Sequence, residues 1–426
     1  MSIALTIFGV TILLIVGGFV YMTAAVNADA DRQDSVNAAP PVGEDPATFL
    51  RALHGGAGQP VCAGNQVDLF QNGDEIFPAM IAAIRAARET VHFSTYVYWA
   101  GAIPDAFAAL FCETARRGVM VRVVIDSEGA DPMNPALVTQ MREAGCQVGI
   151  FREARWYSWT RYNHRTHRRL LIVDGCVGFT GGVGIADEWA GHAQSPANWR
   201  DTHARITGPA VASLQAAFAD NWNHCTDDLL LNARDYPPLE PAGAMQVTVV
   251  TSTPSNGSSG AQRTMAACIA GASRTLHITN AYFVPTPAFI RNLCRASERG
   301  VDVQVIVPGP HIDMRVVRWA SEHIWPRLLE SGVAIHEFQP TMIHCKTLVV
   351  DGQVSLVGSI NFDPRSFALN SEAAIVVADA ALAAEMERVF AGDLARSRRV
   401  TLDEVRSRGV LARVRNAVCY WLRAQF

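Results

Sequence analysis

The chain has almost no lysine. Of its 36 basic residues, only Lys346 is a lysine and the other 35 are arginine. There is no basic excess either, because 40 acidic residues bring the formal charge to −4. That excludes a generally cationic nucleic-acid binder. No C-x-x-C pair occurs among the nine cysteines. Spacings such as Cys112, Cys146, Cys176 and Cys225 fit neither a zinc site nor a disulfide framework, so they read as buried thiols. Charge is sparse, at 18% of residues against 49% apolar, which excludes disorder and allows a sizeable core. A length of 426 residues fits about two or three domains. Near-complete use of Arg for Lys reads as coding bias. It makes the one surviving lysine informative, since ammonium and guanidinium differ chemically.

Residues 3–25 carry no charge. At ~1.5 Å per residue the run spans about 35 Å, enough for a hydrocarbon core of ~30 Å. It is longer than a signal-peptide core and lacks a preceding Lys or Arg, so residues 1–26 are expected to form a retained transmembrane anchor. Residues 27–60, rich in Ala, Asp, Pro and Gly, are expected to be a flexible tether. Unpatterned cysteines favour a catalytic body on the reducing, cytoplasmic side.

The remainder is an internal repeat. FCETARRGVMVRVVID (111–126) matches LCRASERGVDVQVIVP (293–308), and HRRLLIVDG (167–175) matches HCKTLVVDG (344–352). A Pro-rich join at 236–241 separates two halves, 61–235 and 236–400. Each alternates helical periods, as in 76–89 and 105–117, with β-rich runs, as in 90–99 and 119–126. The fold class is therefore α/β, duplicated, with helices covering mixed sheets.

Strand alternation puts His344 and Lys346 on one face and, in the first half, His167 and Arg169. Asp351 has the opposite parity and, with Gly352, reads as a hairpin turn that orients its neighbours. Asp174-Gly175 is its counterpart. A His and a cation two apart are weak evidence once. Twice, at equivalent repeat positions, they can converge at the axis between the halves. Two imidazoles and two cations suit a phosphodiester: the cations neutralise phosphoryl oxygens, one His attacks phosphorus, the other protonates the leaving alcohol.

The second-half pattern, HxKxxxxD followed by G-S-x-N, is His344, Lys346, Asp351, Gly358, Ser359 and Asn361. It resembles the duplicated motif of the phospholipase D superfamily. Further stretches, NAYFVPTPAFI (280–290), QPTMIHCKTLVVDG (339–352), VGSINFDPRSFALNSE (357–372) and WRDTHARITGPAVASLQAAFADNW (199–222), resemble bacterial cardiolipin synthases. The likeness covers about residues 65–400. It implies a duplicated α/β/α fold of phospholipase D type. It also implies a catalytic set of His167, Arg169, Asp174, His344, Lys346 and Asp351, and phosphoryl donors at Ser359 and Asn361. Supporting carboxylates are implied at Glu372, following His344, and at Asp201, following His167, each for its own half's histidine.

The first motif departs from the family. Arg169 stands for Lys, and Gly184 for the Asn found at 361 in the second half. Backbone N–H groups at Gly181 and Gly182 are expected to replace the missing donor. An ammonium is expected to be required at Lys346 and only a cation at Arg169. REARWYSWTRY (152–162) suits a membrane interface, and residues 401–426 read as a basic amphipathic helix for anionic lipid. The resemblance implies a phosphatidyltransferase that works through a phosphohistidine without metal or cofactor. It joins two phosphatidylglycerol molecules, or phosphatidylglycerol and phosphatidylethanolamine, at the bacterial inner membrane, releasing glycerol in the first case. A phospholipid hydrolase and a phospholipid-binding protein that has lost catalysis are the alternatives.

Overall fold

The computed structural model describes residues 16–25, 27–28, 39–152, 163–253 and 260–426. The aromatic run at 153–162 and residues 3–15 of the apolar segment lie outside them. Residues 16–25 are helical. Among the described residues no helix is long and apolar enough to cross a membrane.

The first half contributes β1 (Val61–Gln71), β2 (Thr90–Thr95), β3 (Met120–Asp126), β4 (Gln147–Phe151), β5 (Leu170–Val173), β6 (Val177–Gly181) and β7 (Thr202–Thr207). The second contributes β8 (Met245–Ser252), β9 (Thr275–Asn280), β10 (Asp302–Pro308), β11 (Ala334–Phe338), β12 (Lys346–Val350), β13 (Val354–Gly358) and β14 (Glu372–Ala378), with β15 (Ser397–Arg399) at the edge. The first half runs 1-7-6-5-2-3-4 and the second 8-14-13-12-9-10-11, which is the same order. In each half the last three strands of that order are parallel and the others antiparallel, so the sheet is mixed.

The halves are not two separate sheets. β1 pairs antiparallel with β8, and one sheet of 15 strands runs through both among the described residues. The core is shared as well: Val67 and Ile206 pack in one cluster with Val249, Ile375 and Leu382. Duplication built two copies of one unit, and the β1–β8 seam makes them one body.

Helices that bear on the site and its surroundings include α1 (Pro46–Ala57), α2 (Ala102–Arg116), α3 (Pro287–Glu298), α4 (Arg315–Glu330) and α5 (Val410–Trp421). Equivalent helices α2 and α3 are followed by Gly118 and Gly300, both at φ +90, where a side chain would be strained. The expected tether at 27–60 is corrected by α1. Asp45 caps it, Pro46 opens it, and Phe49, Leu50 and Leu53 are buried in the second-half core. The apolar spacing of those three side chains offsets the loop-like composition around them.

Candidate active site

Each histidine precedes the first strand of a hairpin, β5–β6 or β12–β13. Both turns use two left-handed residues, Asp174-Gly175 (φ +51, +62) and Asp351-Gly352 (φ +54, +63). The aspartates face away from the cavity. Asp174 accepts from the N–H groups of Arg88, Glu89 and Thr90. Asp351 accepts from Ser273, Arg274 and Thr275 in the same way. Their place in the catalytic set is thus corrected to the anchoring of β2 and β9. Burial opposes the Asp351 charge, yet these N–H groups hold its carboxyl below the usual range.

The lead-in to each motif pairs with the opposite half. His167 N donates to Ser371 O at 2.9 Å, and Ser371 N donates to Arg165 O at 2.9 Å. His344 N donates to Arg200 O at 2.7 Å, and Arg200 N to Met342 O at 2.9 Å. These short parallel pairings set each histidine beside the acid that follows in the other chain segment. His167 Nδ1 lies 3.0 Å from both Glu372 oxygens, and His344 Nδ1 lies 2.9 Å from Asp201 Oδ2. The acids are therefore exchanged between halves, which corrects the expected pairing within each half.

Ser359 also takes a different place. Its hydroxyl donates to Glu372 and lies 3.1 Å from Ala373 O, so it supports the acid instead of facing substrate. Gly182, its first-half equivalent, donates its N–H to Thr202 O at 3.3 Å, which corrects its expected role as a phosphoryl donor. Its part is space, because a Cβ there would stand 2.1 Å from Asp201 Oδ1. The hydroxyl missing at 182 is replaced by the Trp189 indole, whose N–H donates to Asp201 Oδ2 at 2.9 Å. Trp189 also fills the room left at Gly184, where a Cβ would approach its ring to 3.1 Å. One tryptophan thus answers both first-half departures around Asp201. No sequence spacing marked it.

The two histidines line one cavity of about 560 Å³ together with Arg169, Asn361, Tyr96, Trp199 and Tyr282. Tyr96 meets His167 edge-on at 5.4 Å, and Trp189 meets His344 edge-on at 5.2 Å. Lys346 Nζ stands 2.9 Å from His344 Nε2 and donates to His344 O at 2.6 Å. Arg169 donates from Nη1 to His167 O at 3.3 Å, and its Nε has no partner among the described residues. Buried Asn361 Oδ1 has none either. Cations and an amide thus meet in a buried pocket and are only partly satisfied by protein groups.

Burial, then Arg169 and Lys346, holds the His167 imidazole well below its usual range. Burial, then Lys346 and Arg169, does the same to His344. Burial also raises Asp201 and pushes Glu372 up to about 7. Lys346 is brought down to about 7 by burial and then by Arg169. Each of these groups resists charge, and the cations repel one another. A bound monoanion relieves the imidazoles and the two cations, though not the carboxylates. With each Nδ1–H pointing at its carboxylate, Nε2 is the atom each ring presents for chemistry.

A family model described as "Cardiolipin synthase, PLD-like domain" matches residues 80–219 and 265–394. Cardiolipin synthase A of Pseudomonas putida (strain GB-1) is 33% identical over 363 residues, 84% of this chain and 74% of that protein. Cardiolipin synthase A of Pseudomonas fluorescens (strain SBW25) is 34% identical over the same shares. The fold is similar to the crystal structure of phosphatidylserine synthase from Haemophilus influenzae Rd KW20. That likeness has TM-score 0.67 and 13% identity, covering 88% of this chain and 99% of that one. The family model falls on both repeats and spans the motif residues that meet in the cavity, so the chain belongs to the cardiolipin synthase family of the phospholipase D superfamily.

Proposed function

We propose that the protein is a phosphatidyltransferase that makes cardiolipin and glycerol from two phosphatidylglycerol molecules. One observation carries the reading. Two imidazoles, each held at Nδ1 by a carboxylate, present Nε2 to one cavity that also holds Arg169 and Asn361 and abuts Lys346. Nε2 of one ring attacks phosphorus. The P–O bond to glycerol breaks, and the other ring gives its Nε2 proton to the leaving oxygen. A hydroxyl of the second phosphatidylglycerol then attacks. Its proton passes to the ring that gave one up, and the P–N bond breaks. Lys346 and Arg169 offset charge on the phosphoryl oxygens throughout.

The substrates place the body at a bilayer, which we take to be the bacterial inner membrane, entered by the anchor at 3–25. Two exposed apolar surfaces support this reading. Helical residues Val16, Phe19, Val20, Tyr21 and Met22 are exposed. So is one face of α5, Val410, Leu411, Val414 and Val418, with Leu411 at 87%. Asn27 Nδ2 donates to Trp421 O at 2.7 Å, so the segment that follows the first surface meets the end of α5. The arginines expected to meet anionic lipid are largely engaged elsewhere. Arg406 pairs with Glu330 at 2.6 Å and Arg408 with Glu322 at 2.9 Å, while Arg415 lies over Trp319. The surface is thus apolar first and basic second. All nine cysteines are free, which suits a cytoplasmic body.

The test uses full-length protein in phosphatidylglycerol vesicles, with His344→Ala alongside and lipid products read by mass spectrometry. Cardiolipin and free glycerol, absent in the variant, are expected. Phosphatidic acid alone would replace the reading with hydrolysis.

A further inference from the structure

Residues 422–426 follow α5 and return to the reaction cavity. Gln425 and Phe426 line it, far from the motif histidines in sequence and outside either repeat. This stretch is fixed at several points. Ala424 is fully buried, and Arg423 lies over the Tyr420 ring at 4.5 Å. Tyr420 Oη donates to Pro285 O at 3.1 Å. Phe426, like Tyr282, Ile312 and Tyr420, packs against a small apolar cluster of Val284, Val317, Ala320 and Cys419. Tyr282 is itself a cavity wall, and its hydroxyl donates to Asp313 Oδ2 at 2.6 Å. From outside, Gln425 Nε2 donates to Thr23 Oγ1 at 2.9 Å, so the apolar helix at 16–25 pins the segment in place.

We propose that Phe426, held by this arrangement, is a specificity-determining wall that keeps water from the phosphohistidine and so favours transfer over hydrolysis. The proposal rests on the phosphatidyltransferase reading above. Its physical basis is simple. The P–N bond of the intermediate yields to whichever hydroxyl reaches phosphorus. Water and a lipid alcohol differ in size and polarity, so an apolar wall discriminates between them. Aromatic rings, Trp99, Trp189 and Trp199, form part of the cavity lining that the repeat supplies. Phe426 supplies an apolar side that comes from outside the repeat, and Thr23 ties that side to the segment expected to enter the bilayer. Phe426 belongs to neither motif, and its side chain brings no polar group to the chemical step.

The experiment compares wild type, Phe426→Ala and Phe426→Leu as full-length proteins in phosphatidylglycerol vesicles. The ratio of phosphatidic acid to cardiolipin is read together with total glycerol release. Phe426→Ala is expected to raise the ratio about tenfold with glycerol release kept, and Phe426→Leu to restore most of it. An unchanged ratio in Phe426→Ala overturns the proposal. If Phe426→Ala loses glycerol release too, Thr23→Val carries the test, since it removes only the Gln425 hydrogen bond. A raised ratio then supports the wall, and an unchanged one overturns it. A wild type that makes no cardiolipin overturns instead the reading on which the proposal rests.

Discussion

Glu372 belongs to the second repeat, yet its carboxylate closes on His167 of the first, at 3.0 Å from Nδ1. Asp201 makes the reciprocal contact with His344 at 2.9 Å. Each acid fixes a tautomer and supports the imidazolium when its ring carries a second proton.

Either acid should therefore be needed for turnover. Glu372→Gln and Asp201→Asn are each expected to lower kcat by about a hundredfold or more, with a smaller change in KM. Their combination should fall well short of the product of the two, because the rings act as a unit. Steady-state cardiolipin formation checks this, and wild-type turnover in either variant would refute the exchange of acids as a catalytic device.

Lys346 and Arg169 should not be equivalent. Lys346 stands at His344 Nε2 as well as donating to His344 O, whereas Arg169 reaches the backbone carbonyl of His167 and neither ring. Lys346→Arg puts a wider group against the reacting ring and is expected to lose roughly 10²-fold in kcat, Arg169→Lys much less. Equal, mild losses would sink this assignment. A pH dependence arises too. Lys346 is held down to about 7 by burial and then by Arg169, so before an anion binds its charged fraction falls as the pH rises through that value. Affinity for a soluble phosphodiester, itself a constant monoanion near neutrality, should fall by up to about tenfold per pH unit above about 7. Calorimetry with Lys346→Arg should show a flatter profile.

Gly182 tests the packing behind Asp201. In Gly182→Ala the new Cβ would lie 2.1 Å from Asp201 Oδ1, so the acid must move off His344. Overpacking should cost about 1–3 kcal/mol of stability, read as a lower Tm. Turnover should fall as far as in Asp201→Asn, because the same contact is lost. Ser359→Ala makes a useful contrast, removing a donor to Glu372 without crowding it.

Membrane binding should depend more on apolar side chains than on charge. The pair Leu411→Asp and Val414→Asp together should weaken association with phosphatidylglycerol vesicles by about tenfold or more. Raising the salt should matter less, since Arg406 and Arg408 are already paired within the chain. Sedimentation with vesicles measures both. A strong salt dependence with no effect of the double variant would reverse the order of importance.

The second motif is readable because its residues are local, from His344 to Asn361, and because strand alternation fixes which of them share a face. The duplication and the mixed sheet are readable from repeated strings and turn residues. Partner choice is not. Sequence spacing places Glu372 after His344 and Asp201 after His167, while the pairing is decided by where residues 165–167 and 342–344 meet the opposite half. Trp189 is invisible for a related reason: it replaces a hydroxyl and fills the room of an amide from a short 3-10 helix with no motif. Helix α1 is legible in principle, through Asp45, Pro46 and the spacing of Phe49, Leu50 and Leu53, but its Ala- and Gly-rich surroundings read as a linker.

The reciprocal clasp makes the site sensitive to the posture of the two halves. A hydrogen bond weakens steeply within about half an ångström of added length. Any slippage along the β1–β8 seam would stretch both histidine–carboxylate contacts at once, since each spans it. Neither half could retain a working imidazole while the other lost its own. Catalytic competence is then all-or-none in the register of the seam, and whatever strains or steadies that register acts on both rings as one switch.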